Sequence, residues 1–264
     1  MKVKTMELKG NKGVLKFEDT NLYFVNSLRR IMLSELPKLA IHDVIIYDNT
    51  SPLFDEIISH RLGLIPIPTD LRLLTFREEC KCNGKGCPNC TVRYTLSKEE
   101  EGVVYSGDLQ PEVKSWAIKE DKIPIVELSK DQRIILEVEA ILGRGKDHAK
   151  WQAVQAPRYS MEATIEIDKN RIDELKDFIK ELPNDLVELK GEKLELKDDS
   201  RLTELELYIG KAKANFINIK RDTSKLTFSF ETDGSLSAKD ALRDSVNILL
   251  NKYGEFGKLL KNLK

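Results

Sequence analysis

The hydrophobic and polar positions near the N-terminus follow the period of an amphipathic helix from about residue 21 to 36. The apolar stripe of this segment consists of Val25, Leu28, Met32 and Leu36. These positions share one helical face. Asn21, or a residue just before it, can cap the helix, and Pro37 cannot continue it. The pattern therefore predicts a helix that packs on one side.

A second helix is predicted after a strand-like segment. Ser51 and Pro52 provide an N-cap and a residue suited to the first helical position, and Gly63 lies where the helix should end, ahead of Pro66. Capped amphipathic helices occur in proteins of many functions. The two helices therefore indicate fold elements and not an activity.

Strand patterns dominate from about Ile41 to Gln155, with alternating or apolar runs at 123–128 and 134–140. From Met161 the pattern changes to a strand, a helix, two short strands around Gly191 and Glu192, a second helix and a last strand. This is the order β-α-β-β-α-β. The chain is therefore predicted to have an α+β fold.

The last helix is predicted from about residue 237 to 261 and carries a heptad seam. The seam consists of Leu242, Val246, Leu249, Tyr253, Phe256 and Leu260. Such a seam is typical of a partner-facing helix. Three heptads do not separate an intermolecular coiled coil from a helix packed on its own domain, and the pattern alone favours the second alternative.

Composition limits the partners. The chain of 264 residues carries 43 Lys plus Arg and 44 Asp plus Glu, a formal net charge of −1. This balance offers no global attraction to nucleic acid or to an acidic membrane. The N-terminus lacks the apolar region of a secretory signal, and no apolar run approaches the roughly 18 residues needed to span a bilayer. We expect a soluble, cytoplasmic protein.

All four cysteines lie within one short segment, as Cys80, Cys82, Cys87 and Cys90. Four thiolates at this spacing can surround one tetrahedral Zn²⁺, and the glycine, proline and asparagine residues between them favour the necessary turns. Such a site is closed and therefore structural. The alternatives are two disulfides or four unrelated thiols, which a cytosolic protein disfavours. An iron–sulfur cluster is disfavoured because the lysine-flanked loop offers little apolar cover.

The histidines and their neighbouring carboxylates are the candidates for a catalytic site. The three histidines, His42, His60 and His148, form no recognised catalytic motif with nearby carboxylates. The run 143–146 (Gly-Arg-Gly-Lys) could cradle a phosphate, but a turn is the simpler interpretation. The segment 148–151 could be an exposed recognition tip or a hairpin whose Trp151 packs inward.

Several motifs together resemble a known family. They are the Asn-Ser-Leu-Arg-Arg run at 26–30, the Asp-Glu-x-x-x-His-Arg-Leu-Gly-Leu-Ile-Pro run at 55–66, and the segments 105–109, 143–151 and 234–236. In this order they resemble the alpha-type assembly subunits of multisubunit DNA-directed RNA polymerases, in particular the archaeal D-type members. The resemblance spans nearly the whole chain and is weaker over 162–220.

The resemblance implies an architecture. Residues 1–40 and 221–264 would form a discontinuous dimerisation domain, 41–160 an inserted β-rich domain with the cysteine loop 80–90, and 161–220 a ferredoxin-like insertion. Some members carry a zinc loop at the corresponding place, and some carry cysteine-ligated iron–sulfur clusters in the insertion. No cysteine follows Cys90 here, so we expect one structural Zn²⁺ and no iron–sulfur cluster.

The resemblance also implies a role in transcription. The chain would be a non-catalytic scaffold of a nucleotidyltransferase complex. It would pair with subunit L through the heptad helix, receive the small subunits N and P, and carry the large catalytic subunits, without sequence-specific DNA binding. Arg29, Arg30, His60 and Arg61 are candidates for contacts to the large subunits. The alternative is a free-standing, zinc-stabilised protein-binding module; a zinc hydrolase would need a vacant metal position.

Overall fold

The computed structural model describes residues 1–168, 171–190, 193–197 and 201–261. Within these ranges the strands are β1 (Lys2–Lys9), β2 (Lys12–Glu18), β3 (Pro37–Asn49), β4 (Thr91–Lys98), β5 (Gly102–Tyr105), β6 (Gln110–Pro111), β7 (Pro124–Leu128), β8 (Ile134–Arg144), β9 (Val154–Ile167), β10 (Val187–Lys190), β11 (Lys193–Leu196) and β12 (Ile217–Thr232). The helices are α1 (Leu22–Ser34), α2 (Asp55–Gly63), α3 (Ile172–Glu181), α4 (Leu202–Ala212) and α5 (Ala238–Lys261). The α+β fold class is confirmed.

The chain divides into two compact units. The smaller unit contains the described residues of Met1–Met6, Val14–Val25 and Arg158–Phe228. The larger unit contains the described residues of Glu7–Gly13, Asn26–Pro157 and Ser229–Lys264. Strands β1, β2, β12 and β9 form a four-stranded sheet in that order. None of the helices in the described ranges is long and apolar enough to cross a membrane.

The smaller unit contains the predicted β-α-β-β-α-β order as β9, α3, β10, β11, α4 and β12, which confirms that prediction. Strands β10 and β11 form an antiparallel hairpin in which Val187 faces Leu196. Gly191 and Glu192, around which the two strands were predicted, lie outside the described residues. The helices bury Leu175, Phe178 and Leu205 in an apolar cluster. Helical spacing places Leu175 and Phe178 on one face.

The larger unit is built on an antiparallel sheet with the strand order β3-β8-β4-β6. Strand β8 buries every second side chain from Ile134 to Leu142. This period-two pattern is the reason the segment forms a strand with one face in the core. Strand β3 is irregular between Ile41 and Asp43, where its register with β8 shifts. The core of this unit also buries Tyr94, whose hydroxyl donates a hydrogen bond to the Trp116 carbonyl at 2.8 Å.

Helix α2 begins three residues later than the sequence pattern predicts. Asn49 accepts hydrogen bonds from the backbone N–H and hydroxyl of Ser51 at 3.1 and 2.6 Å, and its amide donates to the Leu53 carbonyl at 2.9 Å. These bonds hold Ser51 in a turn. The prediction that Ser51 and Pro52 open the helix is therefore wrong: the helix starts at Asp55. Its predicted end at Gly63 is confirmed.

The glycines at 143 and 145 serve close packing. A methyl group at Gly143 would overlap with the Trp151 ring, and one at Gly145 would overlap with the Leu33 carbonyl oxygen. Trp151 is buried, and its indole N–H donates to the Ile141 carbonyl at 3.1 Å. Of the two alternatives for this segment, the structure therefore supports the inward-packed tryptophan.

We expect Gly145→Ala to lower the free energy of unfolding by about 1–3 kcal/mol, because the methyl group has to displace the Leu33 backbone. Chemical denaturation monitored by circular dichroism measures this loss. Gly210→Ala is the control, since none of the described residues lies within 4 Å of the added methyl group. Alanine in a helix is favoured there by about 1 kcal/mol. Equal stability of Gly145→Ala and the wild type would contradict the packing argument.

Candidate metal centre and partner groove

The four predicted cysteines converge. The Sγ atoms of Cys80, Cys82, Cys87 and Cys90 all lie within 4.8 Å of one another. The Sγ–Sγ distances are 3.5 Å between Cys80 and Cys87, 3.6 Å between Cys82 and Cys90, and 3.9 Å between Cys87 and Cys90. All four are free thiols, and these distances are far longer than a disulfide bond of about 2.05 Å.

The turns of the cysteine loop, residues 80–90, are local in origin. Asn83 and Gly84 adopt positive φ angles of 53° and 80°, which asparagine and glycine tolerate best. The Asn83 N–H donates to the Cys80 carbonyl at 3.0 Å. A second turn follows, in which the Cys90 N–H donates to the Cys87 carbonyl at 2.9 Å. Each cysteine pair is thus folded around its own turn.

Hydrogen bonds from the loop backbone act on the thiols. The backbone N–H of Cys82 lowers the pKa of the Cys80 thiol, and the backbone N–H of Cys87 lowers the pKa of the Cys82 thiol to about 6. The pKa of the Cys87 thiol is raised to about 11. The backbone N–H of Asn89 alone would lower it, but the neighbouring thiols, Cys80 first, and burial outweigh that bond. A cation among the sulfurs would reverse this rise.

The donor set fits one tetrahedral ion. Zinc–sulfur bonds of about 2.3 Å in a tetrahedron separate the sulfurs by about 3.8 Å. The three separations given above, 3.5, 3.6 and 3.9 Å, bracket this value, and all four sulfurs lie within 4.8 Å of one another. Four thiolates also occupy every position of a tetrahedral ion, so the arrangement suits a structural ion and leaves no place for a substrate.

A groove lies between α1 and α5 in the larger unit. It has a volume of about 350 Å³ and is lined by Ser27, Arg30, Ile31, Ser34, Glu35, Leu249, Lys252, Tyr253 and Phe256. Five of these residues come from α1 and the position that follows it, and four come from α5. In each set the spacing of three or four residues places the side chains on one helical face. We call this feature the α1–α5 groove.

The heptad seam runs from the interior of the larger unit to its surface. Leu249 is buried, and Leu242 and Val246 are half-buried. Further along α5, Tyr253, Phe256 and Leu260 are 60%, 59% and 50% exposed. The last three turns of the helix therefore present large apolar side chains that the chain itself does not cover. Leu250 and Leu259, which are outside the predicted seam, are exposed as well.

Glu35 fixes the charged end of the groove. Its carboxylate contacts the Lys252 ammonium at 3.1 Å and the Lys146 ammonium at 3.5 Å. Burial alone would raise the pKa of the Glu35 carboxyl, but the hydrogen bonds and charges of the two lysines outweigh burial and lower this pKa. The sequence pattern gives no signal for Glu35 or Lys252, because no local spacing connects residues so far apart.

The four candidates for outward contacts are placed as follows. Arg29 is half-buried and donates to the Asn26 side chain at 3.1 Å. Arg61 is exposed, yet its guanidinium donates to the Ile125 carbonyl at 2.6 Å. Arg30 and His60 are exposed, and Arg30 lines the α1–α5 groove. The Arg61 guanidinium therefore makes a hydrogen bond within the chain, in addition to any contact with another subunit.

Comparison with known proteins agrees with these features. The family model described as the RNA polymerase Rpb3/RpoA insert domain matches residues 44–170. The chain is 35% identical to the DNA-directed RNA polymerase subunit Rpo3 of Thermoplasma volcanium, over 96% of this chain and 97% of that protein. It is 36% identical to the subunit Rpo3 of Methanosphaera stadtmanae, over 96% of each chain. Both alignments cover nearly the full length of the two chains, and the chain therefore belongs to the family of DNA-directed RNA polymerase subunits Rpo3.

Proposed function

We propose that this chain is a non-catalytic assembly subunit of an archaeal, cytoplasmic DNA-directed RNA polymerase. Its membership of the Rpo3 family supports the assignment to the polymerase. The observation that carries the assembly role is the exposed second half of α5, where Tyr253, Phe256 and Leu260 are each at least half exposed. Large apolar patches of this kind mark protein interfaces.

Subunit L is the partner that we propose for the α1–α5 groove. The groove is apolar along Ile31 and Leu249 and charged at Glu35 and Lys252. An amphipathic helix that lays its apolar face between α1 and α5 would cover Tyr253 and Phe256. The charged end would fix its register. Residues 1–40 and 221–264 remain our proposal for the dimerisation domain.

Two further groups of partners belong to the proposal. Small subunits N and P and the large catalytic subunits would bind elsewhere on the chain, with Arg30 and His60 as exposed candidate contacts. Arg29 and Arg61 would contribute through the side-chain atoms that their internal bonds leave available. Nucleotidyl transfer itself would be performed by the large subunits, so the chain would be part of an enzyme only within the complex.

One structural Zn²⁺ is the metal that we propose for the cysteine loop. The sulfur separations and the closed donor set support zinc. The ion would supply folding energy to a loop with few apolar contacts and would take no part in chemistry. The alternative function, a free-standing zinc-stabilised binding module, would keep the same metal but would need no partner on α5.

Co-expression with subunit L from the same organism, followed by size-exclusion chromatography with mass detection and metal analysis, tests the proposal. We expect a one-to-one complex with one zinc per chain. In Tyr253→Asp with Phe256→Asp, affinity for subunit L should fall by about 100-fold or more, because two aromatic side chains that the partner would cover become charged.

Leu207→Asp is the matched control, since Leu207 is an exposed apolar residue, 61% accessible, on helix α4 of the smaller unit. This variant should bind subunit L as the wild type does. A wild-type chain that stays monomeric beside subunit L would favour the free-standing module. A complex that survives both aromatic substitutions would mean that subunit L binds elsewhere and would overturn the assignment of the α1–α5 groove.

A further inference from the structure

Arg77 joins the cysteine loop to the central sheet of the larger unit. Its Nε donates to the Gly84 carbonyl at 3.1 Å. Its Nη1 donates to the Asp43 carboxylate at 3.0 Å, and its Nη2 contacts the Glu139 carboxylate at 3.1 Å. One guanidinium therefore bonds to the loop, to β3 and to β8.

The acceptors are well placed for a positioning role. Gly84 lies between Cys82 and Cys87, in the segment that connects the two cysteine pairs. Asp43 and Glu139 are cross-strand partners in the β3–β8 ladder, at the point where the register of β3 shifts. Because the guanidinium is planar and its donors have fixed directions, three acceptors on three segments fix the height and the angle of the loop above the sheet.

The loop backbone passes close to the Arg77 guanidinium at Gly86. Gly86 has a φ of 79°, and a methyl group at Gly86 would lie 3.2 Å from the Arg77 Nη2 atom. The positive φ is unfavourable for a residue with a side chain, and an added Cβ would press against the guanidinium unless Arg77 shifted. Cys80 and Cys90 are buried at the two ends of the loop, whereas Lys81, Asn83 and Lys85 between them are exposed. Polar bonds therefore contribute much of the loop's attachment.

We propose that Arg77 is a positioning residue for the metal: it preorganises the four thiols and couples metal occupancy to the β3–β8 ladder. This inference rests on the proposed structural zinc. Without the Arg77 bonds, the free loop would have to become ordered at the moment of binding, and the entropy of ordering would be subtracted from the binding free energy. With the Arg77 bonds, any change in the order of the loop also changes the order of the backbone at Asp43.

Arg77→Met tests the first half of the proposal. Zinc affinity is measured by competition with a chromophoric chelator, and fold is checked by circular dichroism. We expect affinity about 10- to 100-fold below that of the wild type, as is usual when a residue that supports metal ligands is lost. Arg77→Lys keeps the positive charge and the alkyl chain but loses the planar set of N–H donors. Its zinc affinity should therefore fall too.

Arg93→Met is the matched control. Arg93 binds the same Glu139 carboxylate at 2.9 Å from β4, and its ion pair is with the sheet. Its zinc affinity should stay within about twofold of the wild type. If Arg77→Met and Arg77→Lys bind zinc as tightly as the wild type, the positioning role is overturned. A wild-type chain that binds no zinc would instead overturn the proposed metal site itself, together with this inference.

Amide hydrogen exchange tests the coupling. In the wild type, removal of zinc should speed exchange at Asp43 and its neighbours in β3, because Arg77 transmits the disorder of the loop. In Arg77→Met, exchange at these amides should no longer depend on zinc. Exchange in β3 that is the same with and without zinc in the wild type would overturn the coupling.

Discussion

Asp233→Asn is expected to lower the free energy of unfolding of the larger unit by about 3–5 kcal/mol, the usual loss when one partner of a buried ion pair is removed. Asp233 forms an ion pair with Lys38, and the two side chains are only 7% and 4% exposed. Asparagine keeps the size of the side chain and an oxygen that can accept the hydrogen bond from Ser235. The substitution therefore isolates the charge and leaves Lys38 buried without a counter-ion.

Trp116 and Trp151 are the two tryptophans of the chain, and both lie in the larger unit. Urea denaturation followed by tryptophan fluorescence therefore reports the unfolding of this unit. Lys38→Met combined with Asp233→Asn removes both charges and should recover much of the lost stability.

Asp70→Asn is the control, because Asp70 pairs with an Arg72 side chain that is 79% exposed. This substitution should lower the denaturation midpoint far less than Asp233→Asn does, because water reaches and screens a pair whose side chains are 27% and 79% exposed. An Asp233→Asn midpoint equal to that of the wild type would mean that the buried pair contributes nothing.

The Lys38–Asp233 pair lies next to the start of α5, the helix that forms one side of the α1–α5 groove. Asp233 lies between β12 and α5, and its backbone N–H donates to the Ala153 carbonyl at 3.1 Å. The neighbouring Ser235 accepts a hydrogen bond from the Thr69 N–H at 2.9 Å. The start of α5 is therefore attached to three separate segments of the larger unit. These attachments fix the position of the start of the helix.

The sequence predicts the elements well wherever a local pattern decides them. The alternation along β8, the stripe of α1 and the clustered cysteines each depend on neighbours within a few residues, and all three are found in the structure. The start of α2 was missed because two local signals compete there. Ser51 and Pro52 suit a helix start, but the Asn49 side chain engages Ser51 first.

Long-range contacts were not predictable from spacing. Lys38 and Asp233, or Arg77 and Glu139, become partners only when the sheet has formed and brought distant segments together. An arginine shortly before a cysteine pair is too common to single out. The heptad seam shows the same limit, because periodicity gives the face of α5 but does not say that Leu249 is buried and Phe256 is exposed.

Removal of the metal should have the second large effect. We expect Cys80→Ser with Cys82→Ser to abolish binding of the ion, since two thiolates do not complete a tetrahedral site. The cysteine loop would then keep the Arg77 bond at Gly84 but lose the ion that joins its two cysteine pairs. Strands β3, β4 and β8 keep their own apolar core, so the loss should be smaller than the roughly 10–16 kcal/mol associated with zinc in isolated finger peptides.

A loss of at least about 3 kcal/mol is expected, which corresponds to about 6–12 °C in the thermal midpoint for a unit of this size. Scanning calorimetry with and without a chelator measures it. Limited trypsin digestion with mass spectrometry locates it, because Lys81 and Lys85 are exposed within the loop. The peptide bonds after Lys81 and Lys85 should resist cleavage in the zinc-loaded wild type and should be cut rapidly in the double variant.

Lys81→Ser is the control for the calorimetric measurement, since it changes an exposed residue of the same loop and no ligand. Its midpoint and its zinc content should match those of the wild type. The partner groove contains no residue of the cysteine loop, so subunit L should still bind the double cysteine variant below its unfolding temperature. If this variant keeps the wild-type midpoint and resists trypsin at Lys85, the loop is ordered without a metal and zinc has no structural role in this chain.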